Sequence, residues 1–192
     1  MSLVSVSIHP LQVRDADTLA ALYTANRDFL EPFDPPRPEG FATSAAQRRE
    51  LKALERERAA DRLERFLIRA DGEPAGVISV SRISRGPFQN AGLGYWITES
   101  MNGRGIATRA VGLVCDWGFG QAGFHRFEAA TLVDNIASQT VLRRNTFTEI
   151  GLSPRYLFIN GAWRDHILFA RTAEDSRPGK ALSTADNRGQ AP

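Results

Sequence analysis

The chain has 192 residues, of which 42% are hydrophobic, and a formal net charge of +2 at pH 7. These values predict one globular domain with its own core, and so small a charge gives no argument for direct nucleic-acid binding. No stretch is apolar enough to span a bilayer, no signal-peptide pattern begins the chain, and Cys115 is the only cysteine. A disulfide framework and a thiolate metal site are therefore excluded, and a cytoplasmic protein without membrane association is expected.

The first third of the chain predicts a strand at about residues 4–13 followed by two helices. The first helix covers DADTLAALYTANRDFLEPF, where apolar residues recur at helical spacing. A Pro/Gly break follows at residues 34–40. The second helix covers TSAAQRRELKALERERAADRLERF, with Thr43 or Ser44 as its cap, and its alternating charges indicate a solvated face.

From Phe66 onward the pattern predicts strands and two further helices. Strands at residues 66–70 and 74–83 flank the turn at 71–73, and a third strand covers 92–98. A glycine-containing loop begins at residue 101 and leads into a helix. Then come a strand at 125–133, a short helix at 135–145 and a hairpin at 155–171 around Asn160–Gly161. Residues 172–192 lack periodicity, which predicts a domain over residues 1–171 and a disordered tail.

The loop in MNGRGIATRAVGL indicates a phosphate-binding site, because glycine-rich turns that lead into a helix aim backbone N–H groups at phosphates. A dinucleotide fingerprint would need a third glycine or alanine where Thr108 stands, and an acid at the far end of the next strand. Glu128 lies instead at the beginning of that strand. A nucleoside-triphosphate loop would need a lysine after the glycines, and none follows. The remaining interpretation is that the loop binds the phosphates of another cofactor.

Three segments in order carry a resemblance to a known family: GYWITESMNGRGIATRA, HRFEAATLVDNIASQTVLRRNTF and NGAWRDHILFAR. They resemble the GNAT acyltransferase superfamily, and within it the RimJ/RimL-type ribosomal-protein N-acetyltransferases, from about residue 8 to residue 171. The resemblance implies an α+β GNAT fold, with a mixed, mostly antiparallel and splayed sheet and helices on both faces. It also implies acetyl-CoA as co-substrate.

The resemblance further implies which residues hold acetyl-CoA. Asn102 stands where the family's pyrophosphate signature begins with Gln or Arg, and Gly105 and Ala107 match its later positions. The pantetheine arm would pair with the strand edge at residues 95–98, where the backbone N–H of Ile97 would polarise the thioester carbonyl. The implied cofactor-binding residues are Ile97, Thr98, Asn102, Gly103, Arg104, Gly105, Ile106, Ala107, Thr108, Asn135 and Ser138.

The N-x-x-S motif of the family falls on Asn135 and Ser138. By resemblance, Asn135 would hold a pantetheine amide and the Ser138 hydroxyl would donate a proton to the departing thiolate, so Ser138 and the Ile97 N–H are the implied catalytic groups. A simpler interpretation of the same segment is helix capping by Asp134 or Asn135. Both roles can coexist.

One departure from the family pattern concerns the general base. Many relatives carry glutamate in an A-E-I-G-Y-W strand, where this chain has AGLGYW and Gly92 takes the glutamate's place. Solvent-exposed or structural roles explain the other nearby carboxylates, Glu99, Glu128 and Asp134, more readily than catalysis does. The three histidines, His9, His125 and His166, lack metal-ligand spacing, so no metal is expected.

The sequence thus predicts direct transfer of acetyl from acetyl-CoA to a primary amine. The expected acceptor is a protein or peptide N-terminus, ribosomal or otherwise. A small amine, such as a polyamine or an aminoglycoside, is the alternative within the enzyme class, and a non-catalytic acyl-CoA-binding module is the alternative outside it. Both a monomer and a homodimer are compatible with the sequence.

Overall fold

A computed structural model describes residues 4–176 of the chain. Seven strands form one sheet: β1 (Val6–Pro10), β2 (Leu63–Ala70), β3 (Glu73–Ser84), β4 (Asn90–Ile97), β5 (Arg126–Leu132), β6 (Thr148–Ile159) and β7 (Ala162–Thr172). Five α-helices accompany them: α1 (Ala16–Ala25), α2 (Arg27–Leu30), α3 (Ser44–Ala59), α4 (Ile106–Gly120) and α5 (Ile136–Arg144). Short 3-10 turns cover Val13–Asp15, Glu99–Met101 and Glu174–Ser176. No helix in this part of the chain is long and apolar enough to cross a membrane.

The sheet has the strand order β1-β2-β3-β4-β5-β7-β6, and it is antiparallel except between β4 and β5. The parallel pairing of these two strands begins at Asn90–Arg126 and ends at Leu93–Ala129. Beyond that point β4 continues to Ile97 and β5 to Leu132 without pairing to each other. The central gap that results, between residues 94–97 and 130–132, confirms the predicted splayed α+β sheet.

Helices cover both faces of this sheet because neighbouring residues of each strand point to opposite sides. In β2, Phe66 and Ile68 pack in the cluster that contains α4, whereas Leu67 between them packs against α1 and α3. In β4, Tyr95 and Ile97 belong to the α4 side in the same way, and Trp96 to the other. The two sides are called the α4 face and the α1–α3 face below.

Helix α4 buries the apolar side that its sequence predicts. Ala110, Val111 and Val114 have no exposed surface and pack in the same cluster as Trp117. Cys115 is equally buried, and burial raises the pKa of its thiol to about 11. An unreactive core thiol is the consequence.

Both predicted hairpin turns are present, and their backbone explains their sequences. Asp71 and Gly72 have φ of 52° and 87°, and Asn160 and Gly161 have φ of 48° and 78°. Two successive positive φ values match the twist of antiparallel strands, and aspartate, asparagine and glycine tolerate them best.

The structure differs from the prediction at the first two helices. The first predicted helix is divided at Asn26, whose buried side chain donates to Leu22 O and accepts from both Thr98 Oγ1 and the Glu99 N–H. The second begins with the Thr43 cap as predicted, but it ends at Ala59 because the chain from Leu63 pairs with β3.

Three boundaries also shift elsewhere. Strand β1 ends at Pro10 rather than at about residue 13. Strand β6 begins at Thr148 rather than at residue 155, because bulges near Gly151 and Arg155 keep Pro154 within the strand. At the predicted tail boundary, Thr172 still pairs with Arg126 and its hydroxyl donates to Asp175. Ordered chain therefore extends past residue 171, and residues 177–192 of the predicted tail lie outside the described residues.

Candidate active site

A cavity of about 910 Å³ passes through the gap between β4 and β5. On the α4 face it is lined by the loop before α4 and by the first turns of α4 and α5. On the α1–α3 face it is lined by α1, α2 and the segment that follows them, and it reaches the β6–β7 hairpin. Of the predicted site residues, nine line this cavity: Ile97, Asn102, Gly103, Gly105, Ile106, Ala107, Thr108, Asn135 and Ser138.

The loop before α4 has the geometry of an anion cradle. Gly103 and Gly105 both have φ of 75°, and a Cβ built on either one meets no atom within 4 Å. Gly105 is the N-cap of α4 and offers no side-chain acceptor, so the N–H groups of Ile106, Ala107 and Thr108 have no intrahelical partner. Uncapped donors and the positive end of the helix dipole fit a pyrophosphate at this place.

Two predicted cofactor residues lie outside the cavity. The Thr98 side chain is buried and donates to Asn26 Oδ1 at 2.9 Å, which anchors the end of β4 to the helix break between α1 and α2. Arg104 is half-exposed beside the cradle, with Nη2 3.6 Å from Asp71 Oδ2. The structure therefore places Thr98 in a structural contact, and Arg104 at the rim of the cradle.

The backbone N–H of Ile97 points into the gap. Thr98 N donates to Ala75 O at 2.7 Å, and antiparallel strands alternate between hydrogen-bonded and non-hydrogen-bonded pairs. The adjacent pair, Gly76 and Ile97, is consequently of the second kind, and the Ile97 N–H faces away from β3. A donor in this orientation can polarise a carbonyl placed in the gap.

At the first turn of α5, Asn135 and Ser138 have separate tasks. Asn135 is the helix cap, since its Oδ1 accepts from the Ser138 N–H at 3.0 Å, and Asp134 lies 3.6 Å from Arg164 instead. The Ser138 hydroxyl lies 3.0 Å from the Tyr95 hydroxyl, which is also 3.2 Å from the Ser138 carbonyl oxygen. Burial raises the pKa of Tyr95 to about 12, so its phenol remains a proton donor throughout the neutral range. No sequence pattern signals this pair of hydroxyls.

We expect Ser138→Ala to lower kcat by about 10²–10⁴-fold, the usual contribution of general-acid help. The affinity for acetyl-CoA should stay within a few-fold, because proton donation to sulfur is needed mainly in the transition state. Asn135 still caps α5 in this variant, since the cap uses the Ser138 backbone. Steady-state kinetics and calorimetry test this, and a loss of kcat below threefold would contradict a role for the hydroxyl.

The α1–α3 side of the cavity carries charges of both signs. Its charged lining consists of two acids, Asp34 and Glu50, and two bases, Arg37 and Arg65, whereas Arg144 ends α5 on the α4 face. Asp34 is already paired with Arg37 at 2.6 Å. The Arg37 guanidinium also lies over the rings of Tyr23 and Phe41, at 4.8 and 4.3 Å from their centroids. The wall is thus aromatic, and its formal charges balance.

The position of the missing glutamate is filled by a cation. A Cβ at Gly92 would lie 2.7 Å from Arg82 Nη2, so the guanidinium occupies the space in which a longer side chain would begin. Arg82 reaches this place from a bulge in β3, where its φ is 50°, and it donates to the Tyr156 hydroxyl at 2.9 Å. No sequence pattern signals this bulge.

The remaining candidate carboxylates are engaged elsewhere. Glu128 Oε1 accepts from Arg126 Nε at 2.8 Å, Glu99 is exposed, and neither lines the cavity. Across residues 4–176 no group of three His, Cys, Asp or Glu side chains is arranged to hold a metal ion.

A second cavity, of about 730 Å³, adjoins the first on the α1–α3 face. The two share lining residues, among them Tyr23, Asp34 and Arg37. Its walls are the proline-rich segment at residues 35–43 and the hairpin turn Asn160–Gly161. Together the cavities form a continuous groove that leads from the surface to the gap.

Comparison with known proteins agrees with this architecture. The family model described as "Acetyltransferase (GNAT) domain" matches residues 6–148. The structure of Mycobacterium smegmatis RimJ in complex with CoA-disulfide superposes with a TM-score of 0.86 at 34% identity, covering 89% of this chain and 83% of that one.

Two curated relatives differ in their acceptors. The [ribosomal protein uS5]-alanine N-acetyltransferase of Escherichia coli is 32% identical over 169 residues, 87% of each chain. The spermidine N(1)-acetyltransferase of the same organism is 30% identical over 123 residues, 62% of this chain and 66% of the relative. Similarity therefore extends to a protein-modifying and a polyamine-modifying enzyme.

Proposed function

Because the chain belongs to the GNAT acetyltransferase family, as an acetyl-CoA-dependent N-acetyltransferase similar to RimJ and RimL, we propose that its acceptor is the α-amine of a protein N-terminus. A ribosomal protein is the acceptor class that the uS5-alanine relative suggests. Such an acceptor would place the reaction in the cytoplasm.

The observation that carries this proposal is that one continuous cavity crosses the sheet. Its α4 side offers phosphate-binding backbone donors, and its α1–α3 side continues into the long groove under residues 35–43. The two substrates can thus approach the gap from opposite faces. A small amine would need only the gap, whereas the groove has room for the residues that follow a peptide's first one.

The charge beside the gap supports the same acceptor. A polyamine carries several positive charges, and carboxylates would have to balance them. Where the family glutamate would stand, the Arg82 guanidinium lies beside Gly92 instead, and Asp34 in the groove is already paired with Arg37. The other carboxylates of the groove, Glu31, Glu39 and Glu50, are exposed, and Arg27 and Arg65 accompany them. A peptide N-terminus brings one charge and a polar backbone, which arginine side chains can bind through its carbonyl groups.

Each residue then has one task in the transfer. Acetyl-CoA, when bound, supplies the activated acetyl thioester. The cradle at residues 103–108 binds the diphosphate, Asn135 offers its amide Nδ2 to the pantetheine arm, and the Ile97 N–H stabilises negative charge on the carbonyl oxygen. Ser138, supported by Tyr95, donates a proton to sulfur.

A thiol-release assay with acetyl-CoA tests the acceptor. Peptides with a free N-terminus should be turned over, and mass spectrometry should locate the acetyl group on the α-amine. Spermidine and aminoglycosides, offered at the same concentration, should react much more slowly. Faster turnover of spermidine would overturn the proposal in favour of a small-amine enzyme.

A further inference from the structure

One histidine lines the central cavity with its imidazole almost completely buried. His166 in β7 is 3% exposed, and its Nδ1 lies 3.0 Å from the carbonyl oxygen of Arg164. A carbonyl oxygen can only accept, so Nδ1 carries the hydrogen of this bond. In the neutral ring Nε2 is then left with a lone pair.

That lone pair has no hydrogen-bond partner among residues 4–176. The imidazole also contacts the Tyr156 ring, whose centroid lies 5.2 Å away at a tilt of 51°. Since Nδ1 is turned back towards its own strand, the opposite edge of the imidazole faces the cavity that His166 lines. A neutral imidazole nitrogen in a cavity is a proton acceptor.

The register of the strands places His166 level with the gap. His166 pairs with Leu132, and the β4–β5 register, continued past Leu93–Ala129, would bring Leu132 opposite Trp96. His166 is thus one strand beyond the gap, at the level of the Ile97 N–H. Gly92, which pairs with Glu128 and through it is level with Ala170, lies four residues before Trp96 in β4.

His166 also lies on the face opposite to the proton donor. In β7, Ile167 and Phe169 pack on the α4 face, so alternation places His166 on the α1–α3 face. Tyr95 and Ser138 lie on the α4 side. A proton acceptor on the acceptor side and a proton donor on the thioester side is the arrangement that acyl transfer to an amine requires.

We infer that His166 Nε2 is the general base of this enzyme, in place of the glutamate that Gly92 replaces; the inference rests on the proposed function. As the amine nitrogen bonds to the thioester carbonyl carbon, the C–S bond breaks and its electron pair stays on sulfur. The nitrogen loses one proton to His166 Nε2, directly or through one water. Sulfur gains one proton from Ser138. Exchange with solvent returns both residues to their starting states.

Two variants separate this role from a structural one. His166→Asn keeps a side-chain N–H that can donate to Arg164 O but has no Nε2, and His166→Ala removes the ring and leaves space for a free imidazole. We expect both to lower kcat by about 10²–10⁴-fold with KM for acetyl-CoA unchanged within a few-fold. Added imidazole should restore part of the activity of His166→Ala.

The matched control is His125→Ala. His125 is about half-exposed, it lies 3.0 Å from Glu174 and it does not line the cavity. Its removal should leave kcat unchanged, and added imidazole should have no effect. Thermal unfolding and calorimetric titration with acetyl-CoA verify that every variant is folded and binds the co-substrate.

The outcomes are distinguishable. Folded His166 variants with undiminished kcat would overturn the inference. It would also be overturned if only His166→Ala lost activity, if imidazole did not restore that activity, and if His166→Asn kept the kcat of wild type. Wild-type protein that acetylates no peptide N-terminus would overturn the proposed function instead. Since the variants can be assayed with any amine that wild type uses, the role of His166 is tested in either case.

Discussion

Gly105→Val should abolish measurable CoA binding, and Gly105→Glu should do so as well. Gly105 borders the open cradle, and a side chain there would occupy the place of the phosphate and keep it from the donors of α4. Hydrogen bonds to a charged group contribute about 1.5–3 kcal/mol each. The loss of two of them weakens binding roughly a hundredfold or more, which calorimetry detects as a lost signal.

The matched control for this experiment is Gly123→Val. Gly123 has φ of 70° and open space around its Cβ position, but it follows the other end of α4 and does not line the cavity. Both variants carry the strain of a branched side chain at positive φ, about 1–3 kcal/mol. Only Gly105→Val should lose CoA. Unchanged affinity in a folded Gly105 variant would show that the pyrophosphate binds elsewhere.

Peptides with a free N-terminus should exceed N-blocked peptides with a free lysine by roughly a few hundredfold in kcat/KM at pH 7.5. An attacking amine must be neutral. The pKa of an α-amino group is about 7.7–8.0, whereas that of a lysine side chain is about 10.4. About a third of the former and about a thousandth of the latter are unprotonated at this pH. No carboxylate stands at Gly92 to compensate, and the Arg82 guanidinium beside it disfavours an ammonium group.

The assay uses one peptide sequence in three forms: N-terminus free with lysine acetylated, lysine free with the N-terminus acetylated, and both blocked as the control. For the first form, kcat/KM should rise with pH through a limb near the α-amine pKa. Glu50→Gln and Asp34→Asn should each leave that limb in place. Preference for the lysine form at neutral pH would contradict this account and indicate a group basic enough to deprotonate a lysine side chain, which His166 is not expected to be.

Much of the fold could be predicted because its determinants are local. The turns at Asp71–Gly72 and Asn160–Gly161 need two successive positive φ values, which few other residue pairs adopt readily. Helix α4 has a continuous apolar face. The end of α3 could not be predicted. Its last turns and the start of β2 form one polar run, and the boundary is determined by how far β2 pairs with β3 from their turn, up to the pair Leu63 and Ser81.

The site shows the same division. The cradle and the N-x-x-S motif are contiguous in sequence, and most of their residues line the cavity. Contacts between distant segments leave no pattern in the sequence from which they could be predicted: Tyr95 and Ser138 are 43 residues apart, and Arg82 and Tyr156 are 74 residues apart. His166 appeared as a histidine without ligand spacing. Only the register of β5 with β7 places it at the gap.

The early end of the β4–β5 ladder also has a consequence for hydrogen exchange. The backbone amides of Tyr95 and Ile97 face the gap and have no strand partner there, whereas those of Gly94 and Trp96 face β3. In the free enzyme the first pair should exchange with deuterium faster than the second, although all four lie in one strand. Acetyl-CoA should slow exchange at Tyr95 and Ile97 selectively, so that alternate amides of β4 report occupancy of the gap residue by residue.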